Sequence, residues 1–276
     1  MGKMMRTWSL MSECWQVLKQ EKSLLVFPLI SGFCCLLVLA SFAVPIFLTG
    51  AWHPPGHGAM PVRQVAYYGT LFAFYAANYF VVVFFNAAMV ACAAIRLGGG
   101  SPTVADGLRA AASRLPVIAG WALVSATVGM ILRIIEDRSD KIGQIVAGLL
   151  GTAWTLVSFL VVPILVIENK GPIEALKDSA SLLKKTWGEQ LIGNFSFGLV
   201  FFVLSLPAFA LIFLGFFLGG MVIGLVCVGV AVIYLLTIAL IQSALQAIFQ
   251  TALYLYARDG QVPQGFRAEV LAGALG

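Results

Sequence analysis

The side chains best suited to chemistry in this sequence are two histidines. His53 and His57 lie four residues apart in the segment AWHPPGHGAMP (51–61). Histidines at this spacing can share a metal ion when a helix holds both on one face. The two prolines between them prevent such a helix. The segment therefore favours an irregular loop and leaves metal binding as the alternative.

No other group of residues has catalytic spacing. The sequence contains no H-E-x-x-H motif, no paired carboxylates within an apolar run and no glycine-rich phosphate loop. Its cysteines lack metal-ligand spacing and are interpreted as small hydrophobic residues. We therefore expect a protein that is not an enzyme and that uses neither a cofactor nor a metal.

Uncharged polar side chains within long apolar runs are the remaining candidates for a functional site. They are Asn78 and Asn86 in one run, and Gln242, Gln246, Gln250 and Tyr254 in another. Their spacings of eight and four residues place each set near one face of a helix. Because an amide that faces lipid leaves its donors unpaired, both faces are expected to turn inward and form a polar seam.

Two interpretations of this seam stay open. The amides join helices by hydrogen bonds, which contribute about 0.6 kcal/mol each on average. Alternatively, they line a path or pocket for a polar or lipid-like solute. No Lys, Arg, Asp or Glu accompanies the amides in these runs, which argues against proton- or ion-coupled transport.

The segments that carry these amides are too apolar for a water-soluble fold. The chain of 276 residues is 61% hydrophobic and 11% charged, whereas a soluble domain is roughly a quarter charged. Its mean hydropathy is +0.97. No Lys, Arg, Asp or Glu occurs in residues 24–50, 64–95, 142–167 or 190–257. A membrane-spanning helix needs roughly 20 apolar residues, so these runs predict an all-α membrane protein.

Six transmembrane helices fit the apolar runs. We place four of them at 24–50, 65–95, 115–135 and 142–167. The run 190–257 is too long for one helix and is split near Gly215, Gly219 and Gly220 into a fifth and a sixth span. These glycines also have the spacing that allows close helix approach, so a turn is favoured and close packing is the alternative.

The basic residues predict the orientation of the chain. With six spans, thirteen of the 17 Lys and Arg residues fall on one side and four on the other. The positive-inside rule then places both termini in the cytoplasm. The basic side is expected to contact anionic lipid of the inner leaflet, and nothing in the charge pattern favours nucleic acid.

Three short amphipathic segments precede spans. Their apolar stripes are Trp8, Met11, Trp15 and Leu18; Val104, Leu108, Ala111 and Leu115; and Ile173, Leu176, Ala180, Leu183 and Trp187. The second segment is expected to start with Ser101 as N-cap and Pro102 as its first helical residue. Being short and charged, all three segments are predicted to lie in the membrane interface.

These segments suggest an internal repeat. One membrane domain (1–276) then contains three units, 1–97, 98–170 and 171–276, each an interfacial helix followed by a transmembrane hairpin. The alternative is that the amphipathic segments are ordinary connectors of a multi-pass protein.

Two blocks, 8–32 and 162–194, resemble those of a bacterial family of integral membrane proteins of unknown function. The first block has a Trp-rich amphipathic start and a Phe-Pro pair in the first span. In the second block the matching positions are Pro163, Leu165, Glu168, Gly171, Pro172, Glu174, Ala175, Leu176, Ser179, Trp187 and Gly188. The resemblance implies this topology and the bacterial inner membrane, and it implies no reaction.

Three functions are compatible with these features. The favoured one is a non-catalytic membrane module that serves as scaffold, assembly partner or membrane-organising protein, with a protein partner or a second copy of the chain. The alternative is a passive or partner-driven transporter of a lipid or small polar molecule that uses the amide seam. An intramembrane enzyme would require carboxylates such as Glu168 or Asp178 to meet in a cleft.

Overall fold

All regular structure in the computed structural model is helical across the residues that it describes, which are 3–49, 61–138, 141–186, 196–260, 262–268 and 271. The α-helices are α1 (Lys3–Gln20), α2 (Val26–Thr49), α3 (Pro61–Leu97), α4 (Val104–Ser113), α5 (Leu115–Arg138), α6 (Lys141–Val157), α7 (Val161–Glu168), α8 (Pro172–Thr186) and α9 (Ser196–Asp259). A short 3₁₀ turn at Lys22–Leu25 joins α1 to α2.

Six helical stretches among these residues are long and apolar enough to cross a membrane. They are Lys22–Leu48, Val65–Leu97, Leu115–Glu136, Gly143–Glu168, Val200–Phe217 and Gly220–Asp259. Their large apolar side chains are widely exposed, as Phe47 (69%) and Val222 (75%) illustrate. A water-soluble protein rarely presents such a continuous apolar surface. The prediction of an all-α chain with six helices of spanning length is confirmed.

Helix α9 is a hairpin that reverses at Gly220. This residue has φ 70° and ψ −166°, a conformation that is essentially restricted to glycine. Across the turn, the Tyr234 hydroxyl donates to the Leu204 carbonyl over 2.8 Å. A Cβ atom on Gly215 would lie 2.6 Å from Cys227 Sγ, so the two arms approach closely there. The turn and the close approach, which were alternatives for the sequence, both occur.

Helix α4 begins two residues later than expected. Its N-cap is Thr103 and not Ser101, and its first residue is Val104 and not Pro102. The Asp106 backbone N–H donates to Thr103 Oγ1, and the Thr103 backbone N–H donates to Asp106 Oδ2. The Asp106 carboxylate accepts from the Thr103 hydroxyl as well, and the hydrogen bonds from the Thr103 hydroxyl and backbone N–H lower the pKa of Asp106. The reciprocal pair satisfies two backbone donors. Ser101 cannot form such a pair, because the residue three positions after it is Val104 and not an acid.

The fourth span consists of two helices, α6 and α7, separated by a turn at residues 158–160. Ser179 of α8, which is completely buried, closes this turn. Its hydroxyl donates to the Val157 carbonyl over 2.6 Å and accepts from the Leu160 N–H over 3.1 Å. Both backbone groups lack a helical partner, so Ser179 supplies the hydrogen bonds that the interrupted helix has lost.

The chain forms two compact units. The first comprises Met1–Pro28, Ala93–Pro102 and Leu183–Gly276, and the second comprises Leu29–Cys92 and Thr103–Leu182. These units interleave along the chain, whereas the predicted repeats are consecutive.

In the first unit, α1 packs against α9. The largest fully buried side chains of this unit include Tyr254, Phe27 and Leu24. The segment after α9 returns along this core, where the Gln264 N–H donates to the Leu97 carbonyl over 3.0 Å.

In the second unit, α5 and α6 form an antiparallel pair. The indole rings of Trp121 and Trp154 stack with their centroids 5.5 Å apart and their planes at 19°. Gly120 of α5 lies against Pro172 at the start of α8, because a Cβ atom on this glycine would approach the proline Cγ to 2.9 Å.

Replacing Gly220 by Ala is expected to destabilise the protein by about 1–3 kcal/mol, because alanine must adopt a glycine-only backbone conformation. The matched control is Gly229→Ala, since Gly229 lies in the same hairpin with open space around its Cα. That change should be neutral or stabilising by up to ~1 kcal/mol. Thermal unfolding in detergent measures both, and equal midpoints would contradict the assignment of the turn.

Replacing Ser179 by Ala is expected to cost about 1–3 kcal/mol, because the Leu160 N–H then has no buried acceptor. Ser181 lies two residues further along α8 and is exposed. Ser181→Ala should therefore change stability by less than about 0.5 kcal/mol. Unfolding midpoints of the two variants in the same detergent provide the comparison, and equal losses would remove Ser179 from its assigned role.

Candidate functional site

The two asparagines of α3 differ in their hydrogen bonds. The Asn78 amide donates to the Phe74 carbonyl of its own helix over 3.0 Å. The Oδ1 atom of Asn86 is buried and has no hydrogen-bond partner within the described part of the chain. An unpaired buried acceptor costs about 1–3 kcal/mol. Of the two asparagines, Asn86 is thus the one with a buried acceptor whose hydrogen bond is left for a bound solute or water to supply.

The polar stripe of α9 changes its environment along the helix. Gln250 is 8% exposed and Tyr254 is completely buried. Gln242 is half-buried, whereas Gln246 is exposed. The guanidinium carbon of Arg258 lies 5.4 Å from the centroid of the Tyr254 ring. The stripe belongs to the first unit and both asparagines to the second, so the seam between them stays a prediction.

The three short amphipathic helices each bury a row of residues beside the predicted apolar stripe. The buried rows are Leu10, Cys14 and Val17 in α1; Gly107 and Ala111 in α4; and Ala175, Ser179 and Leu183 in α8. Most of these positions come directly before a predicted stripe residue. In each helix one residue of the predicted stripe is itself buried, namely Leu18 in α1, Ala111 in α4 and Leu183 in α8.

The other large stripe residues stay accessible. Trp8 is 68% exposed, Trp15 38%, Leu115 41% and Ile173 53%. Met11, Val104, Leu108 and Leu176 are half-buried. Trp187, the last predicted stripe residue, lies outside the described residues, as do His53 and His57. Each short helix therefore has one face against the protein, and α1 and α8 also have an adjacent apolar face with exposed large residues. Leu115, the exposed residue of the second stripe, belongs to α5 and not to α4.

A pocket of about 370 Å³ lies between α1 and the two arms of the α9 hairpin. Helix α1 contributes Trp8, Met11, Ser12 and Trp15, and both arms of α9 contribute aliphatic or aromatic side chains. Three of the four predicted stripe residues of α1 therefore line this pocket. Beyond it, the Lys19 ammonium lies 5.7 Å from the centroid of the Trp15 ring.

Helix α1 is held in place by an ion pair that the sequence did not reveal. Glu13, which is only 5% exposed, lies in the buried row of α1. Its Oε1 atom accepts a hydrogen bond of 2.7 Å from Arg267 Nε. The neighbouring Cys14 thiol is completely buried, and burial together with the charge of Glu13 raises its pKa. An acidic residue inside an apolar row was the available signal, because a buried charge needs a partner.

The carboxylates of Glu168 and Asp178 meet at one lysine. Lys170 Nζ lies 2.6 Å from Glu168 Oε2 and 2.6 Å from Asp178 Oδ2. The hydrogen bonds that the ammonium donates to Asp178 and Glu168 raise the pKa of Lys170, which keeps the amine charged and unsuited to act as a base. Among the described residues, no three His, Cys, Asp or Glu side chains are placed to hold a metal ion.

The six apolar helices indicate a multi-pass α-helical membrane protein. The chain belongs to DUF6159, a family of unknown function whose model matches residues 65–265. The expected membership of an uncharacterised family is thereby confirmed. The matched region contains the block 162–194 and leaves out 8–32. Neither the curated proteins nor the solved structures gave a match.

Proposed function

We propose that the chain is a non-catalytic module of the bacterial inner membrane that organises lipids and partner proteins at the cytoplasmic leaflet. Both termini lie in the cytoplasm. The distribution of basic residues between the two sides supports this orientation. The use of Glu168 and Asp178 in one ion cluster with Lys170 supports a structural role for these carboxylates.

The observation that carries the proposal is the open apolar face of the short helices α1 and α8. On α1 and α8, Trp8 and Ile173 are 68% and 53% exposed, although the buried row of each helix is packed against the protein. A helix of 15 residues such as α8 is about 22 Å long and too short to cross the hydrocarbon. Lipid or another protein chain must therefore cover these side chains in the membrane.

The burial of one row of residues in each of the three helices supports the repeat arrangement. In α1, α4 and α8 this row faces the protein, and in α1 and α8 large apolar residues beside it are exposed. The three units 1–97, 98–170 and 171–276 would then each present one interfacial helix on the cytoplasmic side.

The proposal predicts that the full chain assembles through these faces. Purified in mild detergent with native lipid, it should carry a second copy or a stoichiometric partner, as native mass spectrometry would show. Ile173→Gln should weaken the assembly, because it places an amide in an apolar contact. Lys177→Gln on the exposed polar face of α8 is the control. A monomer without partners, or equal effects of both variants, would falsify the proposal.

Passive transport of a lipid or small polar molecule is the second candidate. The buried and unpaired Oδ1 atom of Asn86 favours it, because such an acceptor is costly unless a solute or water pairs with it. The burial of Gln250 adds a second amide within the protein.

Transport would be tested with a fluorescent phosphatidylglycerol in proteoliposomes. If the amides line its path, Gln246→Leu and Gln250→Leu should slow its movement between leaflets at least tenfold without lowering the unfolding midpoint. If they only join helices, Gln250→Leu should lower the midpoint, and exposed Gln246→Leu should change neither quantity. The second result would leave the organising function as the better account.

A further inference from the structure

The pocket beside α1 has the chemistry of a site for a hydrocarbon chain. Ser12 is the one polar side chain that lines it in the described structure, and the others are aromatic, aliphatic or Met. Its volume of about 370 Å³ lies within the range of roughly 300–1,000 Å³ that is typical of small-molecule sites. A peptide segment would bring backbone N–H and C=O groups that this lining cannot pair.

The pocket opens onto the apolar surface of the α9 hairpin. Leu204 lines the pocket and is itself 42% exposed, and the two residues before it in the helix, Phe202 and Val203, are 59% and 54% exposed. These residues belong to a stretch long and apolar enough to cross a membrane. The solute that reaches such an opening at high concentration is the acyl chain of a membrane lipid.

The rim of the pocket carries a positive charge. The Lys19 ammonium lies 5.7 Å from the ring centroid of Trp15, a residue that lines the pocket. Lys19 is exposed, so its charge is free to meet an anion. Tryptophan rings beside a lysine are typical of the level at which lipid headgroups lie.

We propose that the pocket between α1 and the α9 hairpin binds one acyl chain of an anionic phospholipid, whose headgroup lies beside Lys19. The site rests on the proposed function, since it assigns a specific lipid to one of the open helix faces. It also gives α1 a defined role, because Trp8, Met11 and Trp15 form one wall of the pocket.

The test uses the full chain, stripped of lipid in detergent and titrated with phosphatidylglycerol or phosphatidylcholine under native mass spectrometry. The wild type should retain one phosphatidylglycerol per chain under conditions that remove phosphatidylcholine. Ser12→Phe fills the pocket and should abolish this retention. Gln16→Phe, at an exposed position one turn further along α1, adds the same ring outside the lining and should retain the lipid.

The headgroup assignment is tested by charge. Lys19→Gln should weaken phosphatidylglycerol binding about fivefold, equivalent to ~1 kcal/mol, and leave phosphatidylcholine binding unchanged. Lys22→Gln removes the same charge from an exposed position in the following turn and should have a smaller effect. Equal effects of the two lysine variants, or retention of lipid by Ser12→Phe, would overturn the proposal.

A second measurement does not depend on a pocket-filling variant. Phosphatidylglycerol with a spin label on its acyl chain should quench the fluorescence of wild-type protein more than that of Trp15→Phe; equal quenching counts against the site. The same preparations report the mass of the assembly. Lipid retention without assembly would leave the site standing and refute the organising function, whereas assembly without retention would refute the site alone.

Discussion

Hydrocarbon supplies no hydrogen-bond partners, and this constraint governs every polar group in the long apolar tracts. Thr127, Thr152 and Thr237 each donate to the backbone carbonyl four residues earlier, as Asn78 does. Such bonds let a polar side chain remain in an apolar helix without a partner from outside. Where the helix itself is interrupted, after Val157, Ser179 of another helix supplies the partners. The Asn86 oxygen departs from this pattern, and this departure favours the alternative of a solute path.

The short helices α1, α4 and α8 show how a second constraint, close packing, selects a different face from the one that hydrophobicity marks. The buried rows combine apolar residues with small or polar ones, such as Gly107 and Ser179, and the row of α1 also includes Glu13. Small side chains let helices approach closely, while a buried acid is tolerable once Arg267 pairs with it. Large apolar residues gain as much from lipid as from protein in a membrane, so they need not occupy the protein face.

Helix α1 combines these constraints in one element. One side is fixed to the protein by Leu10, Cys14 and Val17, and the next side forms the wall of an apolar pocket. Lys19 then marks the end of the helix at which a negative charge is favoured. This arrangement of α1 connects the proposed organising function with the proposed lipid site.

Composition alone determined the class and the six spans, because the absence of charge over a spanning length is a local property of the chain. The helical repeat of apolar residues, which is also local, determined the α1 stripe, three of whose residues line the pocket in the structure. The same information predicted a reversal near Gly220, since only glycine readily adopts the required backbone conformation. Only the tertiary structure decided that Ser179 closes a break 19 residues away and that Arg267 pairs with Glu13 across the chain. These features depend on which groups meet in space, and an isolated stretch of sequence records the need for a partner without recording its position.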